Sequence, residues 1–170
     1  MTRPRINGVE PPDPLQTNQT YAQSHRQRFN MAGYAAPKLP TVRVGIIGLG
    51  NRGPGHLRTL IQIEGVEIRA LCDKNPDKVT TARKHLEHTD HAPVLYSEGE
   101  DEWKKLCERD DIDLVFVTTP YYLHAPMAGY AMRQGKHVAS EVPAAGTMEE
   151  CWQLVQTAEE TRRHLMMLEN

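Results

Sequence analysis

The sequence predicts a doubly wound α/β fold, in which helices cover both faces of a six-stranded parallel sheet. Three observations lead to this prediction. Short apolar runs of strand length recur between residues 41 and 170, segments with helical spacing of apolar residues separate them, and no internal repeat interrupts the alternation. A length of 170 residues suits one such domain and is too short for two large ones.

Turn residues bound the six apolar runs that we interpret as strands. The run over residues 112–118 is the most apolar, so we expect it near the centre of the sheet. The run over residues 93–96 is the weakest. In chain order the predicted strands are 42–47, 66–72, 93–96, 112–118, 136–140 and 164–169.

Helix signals occupy the intervals between these strands. Asn75 and Pro76 supply an N-cap and a proline in the first turn, Thr147 and Glu150 form a capping box, and Gly135 is a C-terminal cap. The other predicted helices lie at 54–63, 103–107 and 127–133, and the helix after Asn75 continues to residue 86. The helix after Thr147 is expected to bury one apolar face, made of Cys151, Leu154, Val155 and Ala158.

Residues 1–40 differ from the rest of the chain. Half of the 12 prolines fall in this segment, and its apolar residues follow no sustained period. Such a segment buries too little surface to offset the entropy of ordering, so we interpret it as an arm or linker in front of a domain at 41–170. An arm of this kind can also pack on a neighbouring subunit.

The composition is that of an ordinary globular protein, with a formal net charge of −2, 25% charged and 39% hydrophobic residues. This balance excludes a strongly basic nucleic-acid binder. No apolar run approaches the roughly 18 residues of a membrane-spanning helix, so we expect neither nucleic acid nor membrane as a partner. The start of the chain has no apolar signal-peptide core, which favours the cytoplasm unless the N-terminus is incomplete and the protein is periplasmic or exported.

The cysteines and one group of histidines are expected to have no chemical role. Three cysteines lie far apart without a C-x-x-C pair and are expected to be reduced and buried: Cys72, Cys107 and Cys151. Three histidines stand three positions apart at the end of a predicted helix, where their directions diverge, and we expect no metal site: His85, His88 and His91.

A glycine-rich loop follows the first predicted strand directly. Gly48, Gly50 and Gly53 fit the pattern G-x-G-x-x-G, and a helix begins immediately afterwards. Glycines at these positions permit a tight turn, a close approach of the backbone to a pyrophosphate, and close packing of helix on strand. The helix N-terminus then offers free N–H groups to the phosphates. This context indicates a Rossmann-type, dinucleotide-binding domain.

An acidic residue at the end of the second predicted strand suggests which dinucleotide binds. Asp73 lies 23 positions after Gly50, close to the roughly 20 typical of this pattern. A carboxylate there can accept hydrogen bonds from both hydroxyl groups of the adenosine ribose. It would repel a 2′-phosphate, which favours NAD over NADP. Lys74 and Lys78 leave NADP as an alternative.

Polar and aromatic residues follow the later strands. The segment 119–124 comes after the fourth strand, Glu141-Val142-Pro143 after the fifth, and Asn170 after the sixth. Ligands of open α/β sheets bind beyond the carboxyl ends of the strands. We therefore expect these segments to line one crevice with the glycine loop.

These motifs carry a resemblance to a known family. The glycine loop, the T-P-x-x-x-H segment at 119–124 and the E-x-P turn at 141–143 are similar to the nucleotide-binding domain of the glucose–fructose oxidoreductase and inositol dehydrogenase superfamily. The segments 51–56, 141–145, 149–155 and 166–170 resemble a narrower branch, the NAD-dependent α-N-acetylgalactosaminidases of glycoside hydrolase family 109. The resemblance extends from about residue 29 to residue 170.

The resemblance implies a set of NAD contacts. Besides the three glycines, these fall on Asn51, Arg52, Asp73, Tyr121, Tyr122, Leu123, His124, Glu141, Val142 and Asn170. It also implies a sugar substrate and a reaction by transient oxidation at sugar carbon three, elimination, addition of water and re-reduction. The catalytic residues are unknown and are expected in a second domain beyond Asn170. Homo-oligomers would form through that domain or the N-terminal arm.

One departure bears on the subclass. Dehydrogenases of the superfamily carry Glu-Lys-Pro, whose lysine can handle the proton that accompanies hydride removal, whereas this chain carries Val142. The departure favours the glycosidase branch. An NAD-dependent sugar or inositol dehydrogenase and a non-catalytic NAD-binding module stay as alternatives.

Overall fold

The computed structural model of the chain describes residues 13–169. Its strands are β1 (Val42–Ile47), β2 (Val66–Cys72), β3 (Val94–Tyr96), β4 (Leu114–Val117), β5 (His137–Glu141) and β6 (Leu165–Leu168). They form one sheet in the order β3-β2-β1-β4-β5-β6, and every neighbouring pair is parallel. The predicted six-stranded parallel sheet is confirmed, with β4 at an inner position.

Six α-helices accompany the sheet within the described residues. They are α1 (Pro14–Ser24), α2 (Gly53–Leu60), α3 (Pro76–Lys84), α4 (Glu102–Cys107), α5 (His124–Arg133) and α6 (Met148–Thr161), and a 3₁₀ turn at Tyr121–Leu123 precedes α5. None of these helices combines the length and the apolar character that crossing a bilayer requires.

Two buried clusters lie on opposite faces of the sheet. Ile46 and Ile47 are neighbours in β1, and the first belongs to the cluster under α2 and α3, the second to the cluster under α4, α5 and α6. Successive side chains of a strand point to opposite faces, so a strand that is apolar on both sides needs a helical layer on each. Burial of each large apolar side chain contributes about 1.5–3 kcal/mol.

The predicted capping residues act at the helix ends, although several element bounds differ from the prediction: α2 ends at Leu60 and α3 at Lys84. Asn75 caps α3 by accepting a hydrogen bond from the Asp77 amide, and Thr147 and Glu150 complete their capping box at the start of α6. Gly135 has a φ of +78°, a left-handed conformation that glycine adopts without a Cβ clash, and it ends α5. β4 is shorter than predicted, and α5 begins three residues earlier, at His124.

The N-terminal segment contains a helix that the sequence does not predict. Asp13 accepts a hydrogen bond from the Leu15 amide and Pro14 opens the helix, so α1 has regular capping signals although its apolar residues follow no period. α1 packs on α6 of the same chain, a contact that the sequence does not predict. The division of the chain into an arm or linker and a domain at 41–170 stays a prediction. Residues 1–12 lie outside the described part.

The buried face of α6 also differs from the prediction. Leu154 is buried and Ala158 packs against the core, whereas Cys151 is exposed and Val155 is 46% exposed. The prediction is correct for Leu154 and Ala158 and wrong for Cys151 and Val155. The polar Thr157, at 1% exposure, lies on the buried face, and apolar spacing cannot reveal a polar residue there. The expectation that every cysteine is buried is wrong for Cys151 and correct for the other two.

Candidate cofactor site

The glycine loop is pressed against the neighbouring strand end. Gly48 donates its amide to the Cys72 carbonyl over 2.8 Å and has a φ of +93°. A Cβ at Gly48 would lie 2.7 Å from the backbone of Thr118, and a Cβ at Gly53 would lie 2.1 Å from the Gly48 carbonyl oxygen. Both positions therefore require glycine for packing within the protein.

The middle glycine has a different environment. A Cβ at Gly50 would meet no atom within 4 Å, and the residue is exposed. The loop thus leaves open space over Gly50 at the N-terminus of α2, where backbone N–H groups and the helix dipole favour an anion. This cradle fits the pyrophosphate of a dinucleotide. Asn51, next in the chain, is also exposed there.

Asp73 lies beside this loop. Its Oδ2 accepts a hydrogen bond from the Leu49 amide over 2.7 Å, and its Oδ1 accepts one from the Asn75 amide over 2.9 Å. The carboxylate therefore fastens the glycine loop to the turn after β2. The predicted contact of Asp73 with a ribose stays a prediction.

A buried carboxylate connects the loop with β5. Glu141 Oε1 lies 3.1 Å from Arg52 Nε and 2.6 Å from His56 Nε2, and the Glu141 side chain is 8% exposed. Burial by itself would raise the pKa of Glu141, but the hydrogen bonds from His56 and Arg52 outweigh it, so the pKa lies below its usual value. Two predicted contact residues, Arg52 and Glu141, are thus brought together.

His56 is the site residue that sequence reasoning missed. It lies in the first turns of α2, three positions after Gly53, with its ring 5.6 Å from that of Phe116 in β4. A histidine on a partly exposed helix does not by itself indicate a partner in a distant strand. The available signals were its proximity to the glycine loop and its place in the segment 51–56, which resembles the glycosidase branch.

Two exposed tyrosines project from the 3₁₀ turn after β4. Tyr121 and Tyr122 are 58% and 60% exposed, and their rings meet edge to face with centroids 5.8 Å apart. Leu123, by contrast, packs against the core. Val142, 41% exposed, lies in the turn after β5. Both tyrosines and Val142 are free to contact a ligand at the carboxyl ends of the strands.

His124 is enclosed beneath these residues, with 1% exposure. Its Nδ1 lies 2.8 Å from the Pro143 carbonyl oxygen and its Nε2 lies 2.7 Å from the Thr119 carbonyl oxygen. The ring therefore joins the turn after β4 to the turn after β5. A direct cofactor contact of its side chain stays a prediction, whereas its bracing of the two turns is visible.

Asn170, the cysteine beside Asp73 and the possibility of a metal site remain to be described. Asn170 lies outside the described residues. Burial and the neighbouring Asp73 raise the pKa of the Cys72 thiol to about 12, so this cysteine stays protonated and is no nucleophile. Among residues 13–169, no cluster of three or more histidine, cysteine or acidic side chains could hold a metal ion.

Comparison with known proteins places this geometry in a family. A family model described as the oxidoreductase family, NAD-binding Rossmann fold, matches residues 42–169. The chain belongs to this family. The match covers all six strands and the glycine loop, so it confirms both the predicted fold and NAD as the cofactor of that fold.

Curated relatives specify the resemblance further. The chain is 53% identical over 151 residues to an α-N-acetylgalactosaminidase of Bacteroides fragilis, which covers 89% of this chain and 34% of the relative. It is 49% identical over 158 residues to a glycosyl hydrolase family 109 protein of Porphyromonas gingivalis, which covers 92% and 33%. The predicted resemblance to this branch is confirmed. The chain spans about a third of the length of these relatives.

A solved structure shows the same fold. Myo-inositol 2-dehydrogenase from Lactobacillus plantarum superimposes with a TM-score of 0.65 at 25% sequence identity, over 75% of this chain and 36% of that protein. The fold is therefore shared with this inositol dehydrogenase.

Proposed function

We propose that this chain is the NAD-binding part of a glycoside hydrolase that cleaves α-linked N-acetylgalactosamine. The observation that carries the proposal is the 53% identity to a protein named for that activity. Val142 supports it, because an exposed valine in the turn after β5 can neither donate nor accept the proton that accompanies oxidation of a carbinol.

The chain's own residues would hold the cofactor along the carboxyl ends of the strands. The amides of the glycine loop and the N-terminus of α2 would bind the phosphates, with Arg52 adding a positive charge. Asp73 would accept hydrogen bonds from the adenosine ribose. Tyr121 and Tyr122 would cover the part of the crevice that follows β4 and exclude water from it.

Bound NAD would supply a reversible hydride acceptor for carbon three of the sugar. Oxidation there would acidify the proton at carbon two, and loss of that proton would expel the group at carbon one. Addition of water at carbon one, return of a proton to carbon two and return of the hydride to carbon three would then give the free sugar and restore NAD. In this proposal the base and the sugar pocket belong to the two thirds of the relatives that the chain does not match. The described residues then contribute binding and orientation, and His124 keeps the two turns of the crevice together.

The second candidate function is that of an NAD-dependent sugar or inositol dehydrogenase, because the chain shares its fold with an inositol dehydrogenase. The products of the reaction distinguish the two candidates. A full-length protein that contains this chain should hydrolyse a nitrophenyl α-N-acetylgalactosaminide without added NAD and accumulate no NADH. In deuterated water the released sugar should carry deuterium at carbon two. NADH formed in proportion to product, with no hydrolysis, would establish the dehydrogenase instead.

A further inference from the structure

A buried carboxylate spans the point at which the strand order of the sheet reverses. Glu141 ends β5, whereas Arg52 and His56 lie in the loop and helix that follow β1. β4 lies between β1 and β5. The contacts of Glu141 therefore join the glycine-loop half of the crevice to the half that carries Val142.

The two partners of Glu141 differ in how they are held. The Arg52 side chain is 50% exposed and its Nε lies 3.1 Å from Glu141 Oε1, whereas His56 is 23% exposed and its Nε2 lies 2.6 Å from the same oxygen. The His56 ring also packs against Phe116. Arg52 is thus the partner that a bound anion can reach, and His56 is the partner fixed by packing.

We propose that His56 is a positioning residue that keeps Glu141 in place while Arg52 turns to the phosphates of the cofactor. A guanidinium pairs with phosphate through two parallel hydrogen bonds, and Arg52 lies within the loop where the phosphates would bind. A buried carboxylate without a partner is costly. Without His56, Glu141 would therefore retain Arg52 and compete with the cofactor for it.

The histidine can do this without a charge. Nε2 donates to Glu141 both in the neutral tautomer that carries its proton there and in the imidazolium. An uncharged side chain of similar length that donates a hydrogen bond should therefore replace it. The inference rests on the proposed function only through NAD binding.

Calorimetric titration of the 170-residue chain with NAD tests the proposal. His56→Leu keeps an apolar contact with Phe116 but removes the donor, and the Kd for NAD should rise about tenfold. His56→Gln retains a donor and should stay within about threefold of the unaltered chain. His88→Leu makes the same replacement at an exposed histidine and should leave the Kd unchanged. His56→Asn is a second variant whose side chain is too short to reach Glu141, and its Kd for NAD should rise as much as that of His56→Leu.

A double-mutant cycle separates positioning from general packing. In the Glu141→Gln background the loss caused by His56→Leu should shrink to less than about threefold, because a neutral amide does not retain Arg52. An equal loss in both backgrounds, or a Kd near that of the unaltered chain for both His56→Leu and His56→Asn, would overturn the inference alone. If the unaltered chain did not bind NAD, both the inference and the proposed function would fail.

Discussion

At the scale of single residues, the crevice is organised by carboxylates that already have protein partners. Asp73 accepts hydrogen bonds from the Leu49 and Asn75 amides, and Glu141 is held by Arg52 and His56. Charge-assisted bonds of this kind fix a side chain in one orientation before a ligand arrives. The cofactor would therefore meet acceptors that are largely positioned, which lowers the entropy cost of binding.

The role of Asp73 can be tested by Asp73→Ala. We expect NAD binding to weaken by about 1.5–3 kcal/mol, because hydrogen bonds from the ribose hydroxyls to a charged acceptor are lost. Calorimetric titration measures the change. Asp90→Ala, at an exposed aspartate, is the control and should bind like the unaltered chain. Equal affinities for Asp73→Ala and the unaltered chain would show that the ribose does not reach this carboxylate.

At the scale of elements, the junction of β1, the glycine loop and α2 is the tightest part of the site. Gly53 begins α2 directly over the carbonyl of Gly48, and Gly48 itself faces the backbone of Thr118. Two residues further along the same helix, Gly55 has open space where its Cβ would be. The same substitution should therefore have opposite effects at these two glycines.

We expect Gly53→Ala to destabilise the domain by about 1–3 kcal/mol and to weaken NAD binding, because the added methyl collides with backbone that cannot move aside. Gly55→Ala should leave stability unchanged or raise it by up to about 1 kcal/mol, since alanine favours the helix over glycine. Urea denaturation of the two variants gives both values. Similar losses at both positions would contradict the close packing at Gly53.

At the scale of the whole molecule, the N-terminal segment is part of the folded unit. The ring of Trp152 stacks on Tyr21 with centroids 6.4 Å apart, and its Nε1 donates to Asn18 Oδ1 over 3.0 Å. Two turns later, Glu159 is buried, and its carboxylate contacts His25 Nε2 and accepts from the Arg28 amide. The segment thus covers a face of α6 on the side away from α5.

Trp152→Ala should lower the free energy of unfolding by about 2 kcal/mol, because the half-buried indole loses its packing and its hydrogen bond. Limited proteolysis should become faster within residues 13–40, whereas NAD affinity should change by less than about twofold, since the crevice is elsewhere. Gln153→Ala, at an exposed position of the same helix, serves as the control. Unaltered stability and proteolysis would mean that the segment contributes nothing to the fold.

The alternation of strands and helices, the capping residues and the glycine loop follow from the sequence alone. β2 was predicted residue for residue at 66–72, and the capping box of Thr147 and Glu150 formed as expected. These features depend on side-chain periodicity and on hydrogen bonds between residues a few positions apart, so a short stretch of sequence is enough to predict them.

Tertiary structure decided which distant groups meet. His56 and Glu141 are 85 positions apart, and Asn18 and Trp152, which join α1 to α6, are 134 positions apart. Their contacts exist only because the sheet places β1 next to β4 and β4 next to β5, and because α6 turns one face toward the N-terminal segment. No local pattern encodes such pairs, since each side chain by itself is equally compatible with solvent. Local sequence thus specifies the strands, the helices and the phosphate loop. The partners of the buried charged side chains are specified only by the folded structure.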